Sequence, residues 1–247
     1  MLPFAELAVG QVVPALVIVA VAYFVRGVAG FGSGLIAVPL LLLVGMPLTQ
    51  AVPLIVLLDY LASASHGVAN RQAISWRTVL PTLPFMVLGV AAALILFKTV
   101  DLEWLTKALA VFIIAFAFYQ LFARAPARSE SRLWAIPAGG FGGLIGTLFG
   151  TGGPFYVAYL QLRGLDKTAF RATFATLYLI DGGNRIAGYL LTGLYDLVSL
   201  AWLALLLPVM ALFLYLGGHV HTRLTQEAFK RGISALLVVS GIALLLK

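Results

Sequence analysis

The 247-residue chain is 62% hydrophobic and only 10% charged, with a mean hydropathy of +1.05, against about 25% charged in ordinary soluble domains. That composition excludes a water-soluble surface, and with roughly 20 apolar residues needed per crossing the chain has room for at most about ten spans and no second domain. The net charge of +7 fits basic cytoplasmic loops better than nucleic-acid binding, and the absence of cysteine removes disulfides, thiolate ligands and cysteine nucleophiles.

Only helices and closed barrels satisfy every backbone group in lipid, and the long apolar runs here lack the alternation of barrel strands, so the expected fold is all-α. No Lys or Arg precedes Arg26, so a cleaved signal peptide with a basic leader is not expected. In chain order the first half has long apolar runs at Val12–Ala29, Thr49–Ala69, Arg77–Phe97 and Trp104–Phe122. Between the first two lies a shorter run, Leu35–Gly45, preceded by the glycine-rich GFGSG at Gly30–Gly34. Such a run covers about half a bilayer at 1.5 Å per residue, which predicts a broken, re-entrant element.

The second half repeats the plan. Leu133–Phe149 is followed by GTGGP at Gly150–Pro154, a short run at Phe155–Arg163, and long runs at Thr168–Leu191, Leu197–Gly217 and Ala228–Leu246. The order predicts two repeats of about five elements each, over 1–123 and 133–247, joined by a basic cytoplasmic connector at 124–132, with roughly eight full spans in all.

The basic residues orient this plan. If each short run folds back to the side on which its hairpin began, one side collects Arg71, Arg77, Arg124, Arg128, Arg132, Arg163, Lys167, Arg171, Arg223, Lys230 and Arg231, and the other only Lys98, Lys107 and Lys247. Threading the short runs straight across would separate the Arg124–Arg132 cluster from the Arg223–Arg231 cluster, so the re-entrant arrangement agrees better with the positive-inside rule. Both termini are then expected in the periplasm of a bacterial inner membrane, and the second repeat is inverted relative to the first. Inverted repeats place a substrate site near the midplane, where discontinuous helices meet.

Glycine in each break allows positive φ and close approach to a ligand, and a helix that begins just after the break turns its free N–H groups toward that ligand, which suits an anion. The candidates for contact are Gly30, Gly32, Ser33 and Gly34 in the first break, and Gly150, Thr151, Gly152 and Gly153 in the second. Gly142, Gly146 and Gly150 recur every four residues, as do Gly139 and Gly143, a pattern read as a face for close helix packing. Arg26 lies one turn before the first break; it can attract an anion, pair with Asp59 or snorkel to the interface. Asp181 and Arg185 are four apart, which predicts an internal ion pair, while Tyr178, Asn184 and the remaining edge of Arg185 offer donors to an oxyanion. Asp59, Ser63 and His66 form another stripe. Asp59, Asp181 and His66 are the proton-coupling candidates, with His66 near enough to the cytoplasmic end to be interfacial. The three histidines have no metal-ligand spacing, so neither metal nor cofactor is expected.

Two carboxylates on facing helices would suit an intramembrane aspartyl protease, but the contexts of Asp59 (LDY) and Asp181 (IDGG) do not match such motifs. A retinal protein needs a mid-helix lysine, which is missing. Glycine breaks also build ion filters, so an anion channel stays open as the alternative to a carrier.

Around the two breaks, FVRGVAGFGSGLIAVPLLLLVGMPLTQA and GLIGTLFGTGGPFYVAYLQLRGLDKTAFRAT resemble the paired signatures of the TauE/SafE sulfite exporter family, and the likeness extends over nearly the whole chain, including NRQAISWR. The matched positions are Gly30, Gly32, Gly34 and Pro39, then Gly150, Gly152, Gly153 and Pro154. Ser33 stands where many relatives carry another glycine, which bears on how closely that loop approaches a ligand and supplies a hydroxyl in exchange. The resemblance implies a non-enzymatic, proton-driven transporter of sulfite, a sulfonate such as sulfoacetate, or a related small organic anion.

Overall fold

The computed structural model describes residues 9–30, 32–66, 71–122, 129, 131–219 and 226–247. Most of the connector, together with His221 and Arg223, lies outside the described residues, as does the side chain of His66. Among the described residues every regular element is helical. The α-helices are α1 (Val9–Ala29), α2 (Ser33–Leu43), α3 (Leu48–His66), α4 (Trp76–Val79), α5 (Leu83–Thr99), α6 (Leu102–Phe122), α7 (Ala135–Phe149), α8 (Gly153–Leu162), α9 (Lys167–Leu191), α10 (Leu197–His219) and α11 (Gln226–Leu245).

Four stretches, Gly10–Ala29, Trp76–Thr99, Leu102–Phe122 and Leu197–His219, are long and apolar enough to cross a membrane. They turn large apolar side chains outward, Val17 (58% exposed), Leu88 (64%) and Val111 (57%) among them; in water those surfaces would be costly, and in lipid they are ordinary. α7 falls short because its 15 residues reach only about 22 Å. α2 and α8, with 11 and 10 residues, are the short helices that the runs after the two glycine breaks predict. Each packs against the helix before its break, α1 and α7 respectively.

The chain divides into two compact units, and each draws helices from both halves of the sequence. One comprises Met1–Ile55, Val100–Arg124 and Tyr195–Lys247. Within it α1 crosses α10 where glycines face each other: a Cβ on Gly27 would lie 2.6 Å from the Leu214 carbonyl oxygen and 2.8 Å from Gly217 Cα. Small residues allow that backbone approach. α6 packs on α11, with Ile113 and Ile114 against Gly241, and Lys247 Nζ donates to the Leu42 carbonyl at the end of α2 (2.6 Å), a favourable place for a cation.

The other unit comprises Val56–Thr99 and Ala125–Leu194. Its main crossing is α5 on α7, where a Cβ on Gly139 would lie 3.1 Å from Met86 N, one on Gly143 would meet the Met86 carbonyl oxygen, and one on Gly89 would lie 2.9 Å from Leu144 N. α9 completes the unit. Tyr189 Oη donates to the Thr147 carbonyl (2.5 Å) and Ser75 N to Thr173 Oγ1 (3.0 Å), while Tyr159 of α8 reaches the Thr78 carbonyl (3.2 Å). These bonds retire polar groups that lipid cannot solvate.

Candidate functional site

α9 starts where the Asp166 carboxylate accepts from Thr168 N (2.8 Å) and Ala169 N (3.0 Å), an N-cap that satisfies orphan donors of the first turn. About four turns later the helix carries Asp181 and Arg185, each 1% exposed. Their four-residue spacing brings the carboxylate and guanidinium together as the sequence predicts: Arg185 Nη2 donates to Asp181 Oδ2. The same nitrogen donates to the Gly142 carbonyl at 3.1 Å.

The guanidinium lies in a hollow made by glycines on both sides of the second break. A Cβ on Gly146 would fall on it, 2.7 Å from Nη1 and closer still to Cζ, and one on Gly152 would strike Nη2. A Cβ on Gly142 would lie 2.5–2.7 Å from the Tyr156 ring and hydroxyl. The four-residue glycine pattern therefore has two uses, and the packing interpretation is corrected for one of them. Gly139 and Gly143 serve the crossing with α5, whereas Gly142 and Gly146 clear space for Tyr156 and Arg185. Gly150, at φ 69°, ends α7 in the left-handed region with its N–H on the Gly146 carbonyl (2.9 Å). Gly153 is less constrained, since a Cβ there would make ordinary contact 3.5 Å from Tyr178 Cε2.

Among the described residues, four buried side-chain polar atoms have no protein partner: Thr151 Oγ1, Tyr156 Oη, Asp181 Oδ1 and Arg185 Nε. Those of Tyr156, Asp181 and Arg185 belong to this one hollow, and Thr151 precedes Gly152 in the chain. Beside them the N–H groups of Thr151, Gly152 and Gly153 precede the first closed turn of α8, in which Pro154 has no N–H to offer. Buried polar groups are nearly always satisfied, so a cluster of orphans, three of them donors, is the mark of a place for water or an oxyanion. The sequence offered no signal for Tyr156, which reads as one aromatic among many in an apolar run.

Of the remaining candidates, Tyr178 borders the second break at Gly153. Tyr178 Oη donates to Asp59 Oδ2 at 2.9 Å, and Ser63 Oγ, on the stripe with Asp59, returns to the Asp59 backbone carbonyl (2.8 Å). Asn184 is half-buried and directs its amide to Met86 Sδ on α5 at 3.6 Å. In the unit that holds the first break, Gly30 (φ 84°) and Gly32 (φ 100°) adopt torsions that favour glycine, with nothing close enough to meet an added Cβ. Gly34 is buried in the first turn of α2. Arg26 is 7% exposed and its Nη1 donates to Ser33 Oγ at 2.9 Å, with the Tyr23 ring 5.9 Å from Cζ. It therefore turns toward the first break rather than out to an interface, and Ser33 accepts here. Among the described residues no group of three His, Cys, Asp or Glu side chains could hold a metal.

The model of the family described as sulfite exporter TauE/SafE matches residues 15–244. The "Probable inner membrane transporter protein TsaS" of Comamonas testosteroni is 29% identical over 194 residues, covering 77% of this chain and 81% of that protein. No solved structure matches the chain. With the apolar helices, these likenesses make it a multi-pass membrane transporter and not an enzyme.

Proposed function

The chain belongs to the sulfite exporter TauE/SafE family, and we propose that it carries a small oxyanion, a sulfite or a sulfonate such as sulfoacetate, through the bacterial inner membrane by alternating access driven by protons. The anion lies at the second break. Arg185 supplies the charge, Thr151 and Tyr156 the hydroxyls, and the start of α8 its free N–H groups. The observation that carries this reading is the set of buried donors without partners around a guanidinium that glycines admit on both sides.

The repeats supply the two alternating conformations. In a duplication over 1–123 and 133–247, α1 corresponds to α7 and α5 to α10. α1 packs on α10 while α7 packs on α5, so equivalent pairs form in each unit by exchange of partners between the halves, which supports that reading. The connector then lies in the cytoplasm and both termini in the periplasm.

Uptake of labelled sulfite and sulfonates into proteoliposomes tests the proposal. Saturable uptake that responds to a proton gradient is expected, with Arg185→Ala abolishing it; uptake rising linearly with concentration would instead indicate a channel. Unchanged anion affinity in both Arg26→Ala and Arg185→Ala would remove the electrostatic basis altogether.

A further inference from the structure

We propose that the transported anion and Asp181 compete for the Arg185 guanidinium, so that the site loads one anion together with one proton on the Asp181 carboxyl. This rests on the anion site at the second break and adds its coupling device. Arg185 Nη2 is already shared between Asp181 Oδ2 and the Gly142 carbonyl, and Gly146 and Gly152 close over the rest of the group. An anion that reaches Nε or the Nη atoms therefore meets a carboxylate on the same guanidinium. Two anions on one cation in a desolvated hollow repel strongly, and a carboxylate released there without its partner would be a bare buried charge. Uptake of a proton from solution onto an Asp181 oxygen removes both costs.

The charge balance favours the exchange. The empty hollow holds one guanidinium and one carboxylate; the loaded one holds the guanidinium, the bound monoanion and a neutral carboxyl. Both are neutral overall, as a site enclosed in lipid requires. Asp181 Oδ1, which has no protein partner, is the natural place for the proton, and the resulting hydroxyl donates to the anion.

The surroundings supply few competing charges. α7 brings no titratable side chain, and α5 brings only Lys98 at its far end. α8 contributes Tyr156, and Tyr159, which is bonded to Thr78. α9 itself adds Tyr178 and Tyr189, the latter bonded to the Thr147 carbonyl, with Lys167 and Arg171 in its first two turns. α3 contributes Asp59, held by Tyr178, and Tyr60, which lies beside Gly182. Arg71 and Arg77 sit on the short helices near Thr173, roughly two turns before Asp181. Among the described carboxylates of this unit, Asp181 is the one paired with Arg185.

Binding of methanesulfonate to the purified full-length protein, followed by calorimetry from pH 5 to pH 8, tests this, because methanesulfonate remains a monoanion over that range. Affinity is expected to rise about tenfold for each unit the pH falls wherever Asp181 is ionised in the empty protein. Titrations in two buffers of different ionisation enthalpy should report one proton taken up per anion. Asp181→Asn should bind with a flat pH profile, while Asp59→Asn keeps the slope. No binding at any pH, or binding untouched by Arg185→Gln, overturns the anion site itself. Binding that needs Arg185 but takes up no proton, or a slope that survives in Asp181→Asn, overturns the exchange alone. The proton count is read on the wild-type protein, so the test stands even if Asp181→Asn does not fold.

Discussion

Gly146→Ala is a sharp probe of the hollow because the added methyl would occupy the position of the Arg185 guanidinium. To admit it, the guanidinium must leave both Asp181 and the Gly142 carbonyl. Separating a buried pair costs about 3–5 kcal/mol, and alanine returns up to about 1 kcal/mol of helix propensity. The net expectation is a loss of about 2–4 kcal/mol in unfolding free energy. In an Asp181→Asn/Arg185→Gln background, which leaves no buried unpaired charge and a shorter side chain at 185, the methyl has room, and the same substitution should be neutral or slightly stabilising. The coupling between Gly146 and the pair is then about 3 kcal/mol, large against the roughly 0.5 kcal/mol within which independent sites add. Reversible unfolding of the four proteins in mixed micelles measures it. Additive effects would refute the claim that Gly146 exists to admit Arg185, and would return that glycine to ordinary helix packing.

Three further outcomes follow from the same geometry. Gly143→Ala should destabilise by about 1–3 kcal/mol because its methyl meets the Met86 carbonyl oxygen, whereas Gly140→Ala, with open space around it, should be neutral or gain up to about 1 kcal/mol; thermal melts distinguish them. The cysteine-free chain suits single-cysteine labelling: an impermeant thiol reagent is expected to modify Asp101→Cys in cells with a permeabilised outer membrane and Ser129→Cys only after lysis, and the reverse would invert the topology. Asp196 accepts from Ser199 N and Oγ, both 2.7 Å, ahead of α10, and these bonds hold its carboxyl below the usual 3.8. Its contribution is therefore present above about pH 4 and fades as the pH falls through the lowered value. Asp196→Ala should cost about 1 kcal/mol at neutral pH, and melts of variant and wild type should converge in strong acid.

The membrane class, the helical fold and the two short helices behind glycine breaks are legible in the chain because they depend on local properties. Composition sets the solvent, and Gly-rich interruptions set where a helix must stop: the runs Leu35–Gly45 and Phe155–Arg163 return as α2 and α8. The Asp181–Arg185 pair is legible for the same reason, since a spacing of four fixes a shared helix face. What surrounds that pair is not. In a soluble protein the polar face of a helix reveals which side is buried, but α7 and α10 are apolar all round, and lipid-facing and protein-facing positions look alike. Only the tertiary structure separates Gly142 and Gly146, which receive Tyr156 and Arg185, from Gly139 and Gly143, which receive the backbone of α5. It likewise decides that Asn184 turns to Met86 and that α1 and α7 choose partners from opposite halves of the chain, because those choices are made by side-chain volume and backbone contact between segments remote in sequence.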